Sequence, residues 1–183
     1  MGELRLSGGE FRGRKLRVAH GVRPTEGRVR EALFSIWQTE LPGARVLDLF
    51  AGSGAFALEA LGRGATAAVL VEGDPQVARA LRENVAVLQV KDAAHLYRMR
   101  LPAALGMLAQ REAPFDLAFV DPPYGFEDAA RLLRELVPLM AEGGGIAFEH
   151  GAQDAPAAAP AGWELTQTRC YGGSCLSFYA RSQ

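Results

Sequence analysis

Four short apolar runs recur along the chain: ARVLDLF (44–50), AAVLVE (67–72), FDLAFV (115–120) and GIAFEH (145–150). Runs this short and this continuously apolar are the pattern of parallel strands covered on both faces. Helical stretches separate them. AFALEALGRG (55–64) ends at Gly62 or Gly64, and PQVARALRENVAVL (75–88) opens on a proline suited to a first helical turn. FEDAARLLRELVPLM (126–140) reads as a third helix, closed by the glycines at 143–145. Strands and helices in alternation predict a doubly wound α/β domain.

Both ends depart from the alternation. Residues 4–18 read as a short basic hairpin around Gly8, Gly9 and Gly13. A helix follows from about Glu26, with Thr25 as its N-cap and Val29, Leu33, Ile36 and Trp37 on one face. At the other end WELTQTRCY and SCLSFYAR flank Gly172-Gly173, which predicts an antiparallel hairpin. The Pro/Ala stretch 152–161 reads as a loop. The organisation expected is a basic extension over 1–38 followed by one domain over 39–183.

Length and charge bound the function. No apolar run approaches the ~20 residues of a membrane span, and the first residues show no secretion signal. A soluble, cytoplasmic, monomeric protein with no membrane partner is expected. The net charge is −1, yet the first 30 residues hold eight basic residues against three acidic ones. That split suggests a basic arm for a polyanion on a body with another task. Cys170 and Cys175 would face each other across the final hairpin; in a reducing cytosol they are expected to remain thiols. With no histidine beside them, no metal site is expected.

In VLDLFAGSGAFALEALGRG a buried strand runs through Gly52-Ser53-Gly54 into a helix. Gly52, Gly54 and Ala57 satisfy a dinucleotide-type spacing, and Glu72 ends the next strand. Asp48 separates the possible ligands. A pyrophosphate would be repelled by a carboxylate at the mouth of such a turn, which depends on bare N–H groups. S-adenosylmethionine carries a sulfonium and an ammonium, so an acid there helps. Glu72 can then accept the ribose hydroxyls. The alternative for Asp48 is a carboxylate capping the helix that starts near Gly54.

VDPPYG (120–125) completes the set. In a doubly wound sheet the end of FDLAFV opens onto the same crevice as the glycine turn. Asp121 is the first residue out of that strand, Pro122 and Pro123 fix backbone carbonyls because φ is locked, and Tyr124 supplies a flat ring. An acid, a fixed carbonyl and a ring suit an exocyclic amine on a nucleobase, held by both hydrogens and stacked. The residues alone leave several targets open: an amine of RNA, of DNA adenine or cytosine, or of a protein glutamine. A non-catalytic RNA-binding module and a nicotinamide dehydrogenase are the remaining readings.

Asp121-Pro122-Pro123-Tyr124 resembles the [DNS]-P-P-[YFW] signature of class I adenosylmethionine-dependent methyltransferases that act on amines. With SGGEFRGRKL (7–16), RPTEGRVREALFSIW (23–37) and the two motifs above, nearly the whole chain resembles the RsmD family, bacterial enzymes that methylate the guanine N2 amine of 16S ribosomal RNA in the small subunit. The resemblance implies a seven-stranded, mostly parallel sheet. It implies that Asp48, Phe50, Gly52, Ser53 and Gly54 hold the methionine part of the cofactor, that Glu72 holds the ribose, and that Ala51 and Gly73 belong to the same cofactor-binding set. Asp121 to Tyr124 would form the amine site, and Arg12, Arg14, Lys15, Arg23, Arg28 and Arg30 would contact RNA. Three features depart from the family pattern: Gly27 replaces an acid, Ser35 an asparagine, and the stretch with Arg98 and Arg100 stands where Asp or Asn is common near the adenine. Backbone groups around Arg100 and Leu101 are therefore expected there.

Overall fold

The computed structural model describes residues 2–21, 27–123 and 125–182. Two strands open the chain, β1 (Gly2–Arg5) and β2 (Lys15–Val18), paired antiparallel as a separate hairpin. Helix α1 (Gly27–Ile36) follows; Thr25, expected as its cap, lies outside the described residues. Then come β3 (Arg45–Leu49), α2 (Ala55–Gly62), β4 (Ala67–Val71), α3 (Pro75–Leu88), β5 (Ala94–Tyr97), α4 (Ala103–Arg111) and β6 (Phe115–Val120). The chain closes with α5 (Ala129–Leu136), a single 3-10 turn (Val137–Leu139), β7 (Met140–Gly151), β8 (Trp163–Tyr171) and β9 (Ser174–Arg181).

The main sheet has seven strands in the order β5-β4-β3-β6-β7-β9-β8. Strands β3 to β7 run parallel, while β9 is antiparallel to β7 and β8 to β9. Alternation along the strands divides the core in two. Val46, Leu70, Phe119 and Ala147 pack with α1, α2 and α3 on one face. Leu47, Val69, Val120 and Phe148 pack with α4 and α5 on the other. The N-terminal hairpin joins the first layer through Leu6 and Leu16, both buried.

Four expectations are revised. Strand β5 and helix α4 went unread, because AHLY is short and half-polar and AALGMLAQR carries a glycine and a weak apolar face. The helix expected over 126–140 covers only Ala129–Leu136, since Pro138 cannot continue the ladder. Glycines 143–145 lie inside β7 rather than closing a helix. There, a Cβ on Gly144 would approach the Phe115 and Asp116 carbonyls within 3.2 and 3.0 Å, so the backbone approaches β6 closely and a side chain would need the neighbouring backbone to give. Finally, Cys170 and Cys175 are joined in a disulfide rather than standing as thiols. They are directly opposed in the register beside the two-residue turn.

Candidate active site

Strand β3 lies inside the sheet, with β4 and β5 on one side and β6, β7, β9 and β8 on the other. The chain therefore changes direction between β3 and β6, and a crevice opens at their carboxyl ends. A cleft of about 820 Å³ occupies it, bounded by the glycine turn, Asp48, Asp121 to Pro123 and the end of β7. A second cleft of about 290 Å³ is lined by Glu72, Gly73, Met99, Arg100 and Leu101. Phe50 lines both.

The turn after β3 is built from left-handed backbone. Phe50 has φ 65°, Gly52 54° and Gly54 78°. For a bulky residue such a φ is a strained conformation, of the kind that collects at functional sites at about 1–3 kcal/mol each. It turns the Phe50 ring toward Phe126, with centroids 5.5 Å apart in an edge-on contact. At Gly54 a Cβ would stand 2.3 Å from Leu81 Cδ1, so α3 seals the turn from behind. Buried Asn84 of α3 holds it as well, donating to the Ser53 carbonyl at 2.9 Å while exchanging two bonds with the backbone of Arg17 in β2. Sequence reading passed over Asn84; its one signal was a polar residue on the apolar face of α3.

Asp48 caps the helix after the turn and also faces the cleft. Its Oδ2 accepts from the Ala57 N–H at 3.3 Å, within the first turn of α2, and it lines the main cleft. It is only 2% exposed. Burial pushes its carboxyl well above the usual range; the Ala57 bond works against this, and the nearby charges of Asp121 and Glu72 add to it. A cation in the cleft would relieve that burden. Glu72 accepts from the Gly52 N–H at 3.0 Å and the Asp74 N–H at 2.8 Å, so its carboxylate bridges the glycine turn and the loop after β4. The chemistry of this set, acids beside a tight backbone turn that lines one cleft and adjoins another, fits an adenosyl cofactor bearing positive charge.

Asp121 leaves β6 with its N–H donating to the Leu49 carbonyl at 3.4 Å, which ties the amine motif to the strand that carries Asp48. Pro122 and Pro123 line the same cleft. Tyr124 lies outside the described residues. Two residues that sequence reading left unassigned complete the wall, Glu149 and His150 at the end of β7. His150 Nε2 meets Ser177 Oγ at 2.8 Å, which meets Thr168 Oγ1 at 2.9 Å. Among the described residues no group of three or more His, Cys, Asp or Glu side chains could hold a metal ion.

The basic residues divide. Arg12, Arg14, Lys15 and Arg28 are exposed. Arg14 donates to the Val87 carbonyl at 2.9 Å, and Lys15 pairs with Glu3 at 2.7 Å. Arg23 lies outside the described residues. Arg30, expected to face RNA, is 3% exposed and pairs with the fully buried Glu59 of α2 at 3.1 Å. A side chain enclosed in this way has no face to offer a phosphate. Glu59 also accepts from the Ser7 N–H and Oγ at 2.9 and 2.6 Å and from Arg63 at 2.7 Å. Gly9 seats against the end of α2, where a Cβ would stand 2.3 Å from the Gly62 oxygen. Part of the glycine-rich N-terminal block thus serves docking.

Residues 4–180 match the family described as Conserved hypothetical protein 95, the RsmD family. The chain belongs to the RsmD family. Ribosomal RNA small subunit methyltransferase D of Escherichia coli K12 is 37% identical over 98% of this chain and 91% of its own length. The protein of the same name from Haemophilus influenzae is 32% identical over 93% and 90%. Among solved structures, a putative methyltransferase of Escherichia coli superposes with a TM-score of 0.86, at 36% identity over 98% of both chains. A hypothetical protein of Thermus thermophilus gives 0.82 at 34% identity, covering 96% of this chain and 98% of the other. The shared architecture is the Rossmann-like sheet of class I methyltransferases, and this member of the RsmD family is a methyltransferase.

Proposed function

We propose that this protein transfers a methyl group from S-adenosylmethionine to the N2 amine of a guanine in the 16S RNA of the small ribosomal subunit. One observation carries the reading: Asp121, with its rigid Pro122-Pro123 turn, opens onto the same cleft as Asp48 and the glycine turn, at the sheet's change of direction. The names of the relatives, ribosomal RNA small subunit methyltransferases, support the substrate class.

When bound, adenosylmethionine supplies an electrophilic methyl on a sulfonium sulfur. The protein's own part is to place and polarise the amine. Asp48, Ala51 and the backbone of Gly52 to Gly54 would hold the methionine end, Glu72 and Gly73 the ribose, and the lobe at Arg100 and Leu101 the adenine. Asp121 and the Pro122 carbonyl each accept one hydrogen of the target N2. That bends the nitrogen toward tetrahedral geometry and frees its lone pair, which ring delocalisation otherwise holds. Alignment of this kind contributes up to about 7–11 kcal/mol in favourable cases. The Asp121 carboxylate would also offset the positive charge that builds as the N–C bond forms at the expense of the methyl–sulfur bond, which leaves a neutral thioether, and loss of one proton to solvent would return N2 to neutrality. A paired base could not reach the cleft and has to be flipped out or offered from a loop. Arg12, Arg14, Lys15 and Arg28, with Arg23, would meet the RNA backbone.

The test is transfer of labelled methyl to small subunits from a strain lacking this protein, with nucleosides resolved by mass spectrometry. Label in N2-methylguanosine of 16S RNA is expected; label in DNA-type products or ribosomal protein would replace the target. Asp121→Ala should lower turnover by about 10²–10³-fold, as loss of one transition-state contact does, with cofactor affinity nearly unchanged. Retained turnover with lost cofactor binding would remove Asp121 from the amine site.

A further inference from the structure

Strands β6 and β7 end their register at Val120 opposite Phe148. The next residue on each is an acid, Asp121 and Glu149. Neighbouring parallel strands lie about 4.8 Å apart, and alternation directs both positions to the face of Phe119 and Ala147. Both residues line the main cleft. Glu149 differs from Asp121 in one respect: it is still inside the sheet, paired with Leu176 of β9, and only 8% exposed. Its carboxylate is thus carried by a rigid element beside the group that would hold the amine.

A single acid and a fixed carbonyl account for the two hydrogens of an exocyclic amine. A second acid next to them favours a ligand that brings a further donor alongside. Planar amines differ on this point. In guanine the N2 amine is flanked by N1–H, a donor. In adenine and cytosine the amine is flanked by a bare ring nitrogen, and in a carboxamide by its own carbonyl oxygen. An ionised carboxylate only accepts, so it welcomes the first and repels the lone pairs of the others. We infer that Glu149 is a specificity-determining residue that reads the N1–H of the target base and so restricts this amine site to guanine.

The inference rests on the proposed guanine-N2 activity and is tested so that the two can fail separately. Once the methylated guanine is mapped, subunits are reconstituted with 2-aminopurine at that position. This base keeps the N2 amine but presents a bare N1. The wild-type protein should prefer guanine by about 10²-fold or more in kcat/KM, because sites built around a substrate donor reject analogues lacking it strongly. Glu149→Gln, whose amide can donate to a bare N1, should narrow the preference below about tenfold, mostly through loss on guanine. Binding of S-adenosylhomocysteine by the variant checks that the fold is kept. An unchanged preference in Glu149→Gln, with both substrates slowed alike, would reduce Glu149 to a structural part and overturn the inference alone. Equal rates on the two bases by the wild-type protein would overturn it without any variant. Label on adenine or on protein would overturn both the inference and the guanine activity.

Discussion

Asp48 sits where burial, Asp121 and Glu72 all oppose its negative charge, and one hydrogen bond from Ala57 supports it. Its carboxyl is raised in the folded protein, so its contribution to folding is favourable below the ordinary carboxylate range and is lost as pH rises through the raised value. Asp48→Asn should therefore raise the Tm of the cofactor-free protein near pH 7, with the gain shrinking toward pH 4; thermal scans across that range measure it. The same variant should bind adenosylmethionine about 10–100-fold more weakly, the scale of a charge-assisted contact of ~1.5–3 kcal/mol. S-adenosylhomocysteine, which lacks the sulfonium charge, should lose less. Equal losses for the two ligands in a calorimetric titration would show that Asp48 answers the ammonium they share rather than the sulfonium, and no loss for either would leave it only a helix cap.

The elements that position the site are tied together by polar groups that hydrophobic periodicity does not reveal. Burial alone would push the Glu59 carboxyl up, but two bonds from Ser7, one from Arg63 and the Arg30 charge carry it below the usual range. Lowered in this way, Glu59 stabilises the fold above the ordinary carboxylate range, and that support goes as pH falls through its lowered value. Glu59→Gln removes a charge that buried Arg30 needs, a change that costs about 3–5 kcal/mol in such settings. Amide exchange should then accelerate first in β1 and β2, while β3 and β6 stay protected. Uniform acceleration would show that the hairpin is not a separately docked element. Apolar runs announced β3, β4, β6 and the end of β7 because burial on both faces leaves a compositional mark, and Gly172-Gly173 announced the final hairpin. The edge strand β5 left none, being half-covered, and Pro138 cut short a helix whose apolar pattern ran on. The glycine turn, Asp48 and Asp121 were legible because their chemistry is local. Glu149 was not, because its meaning depends on which strand lies beside β6. Arg30 was misplaced for the same reason: charge counts carry no information on what lies across the core.

Over the whole molecule the charge is divided, with a basic hairpin set on a body that carries the acids. Acids crowd the cleft, so in the proposed function the affinity for RNA is assigned to the arm, and it should fall steeply with salt. Reversing Arg12 and Arg14 to Glu should weaken RNA binding and reduce the log–log salt slope by roughly 0.7–0.9 for each phosphate no longer neutralised, leaving cofactor affinity unchanged. A slope equal to that of the wild-type protein would move the RNA surface elsewhere. The docking of that arm also bears on the order in which the chain folds. Ser7, Glu10 and Arg17 bond to Glu59, Gly62 and Asn84, partners 52 to 67 residues further along the chain, on helices held by the sheet in which β6 lies beside β3. Seating the arm therefore means closing loops of that length onto helices that the sheet has already fixed in place.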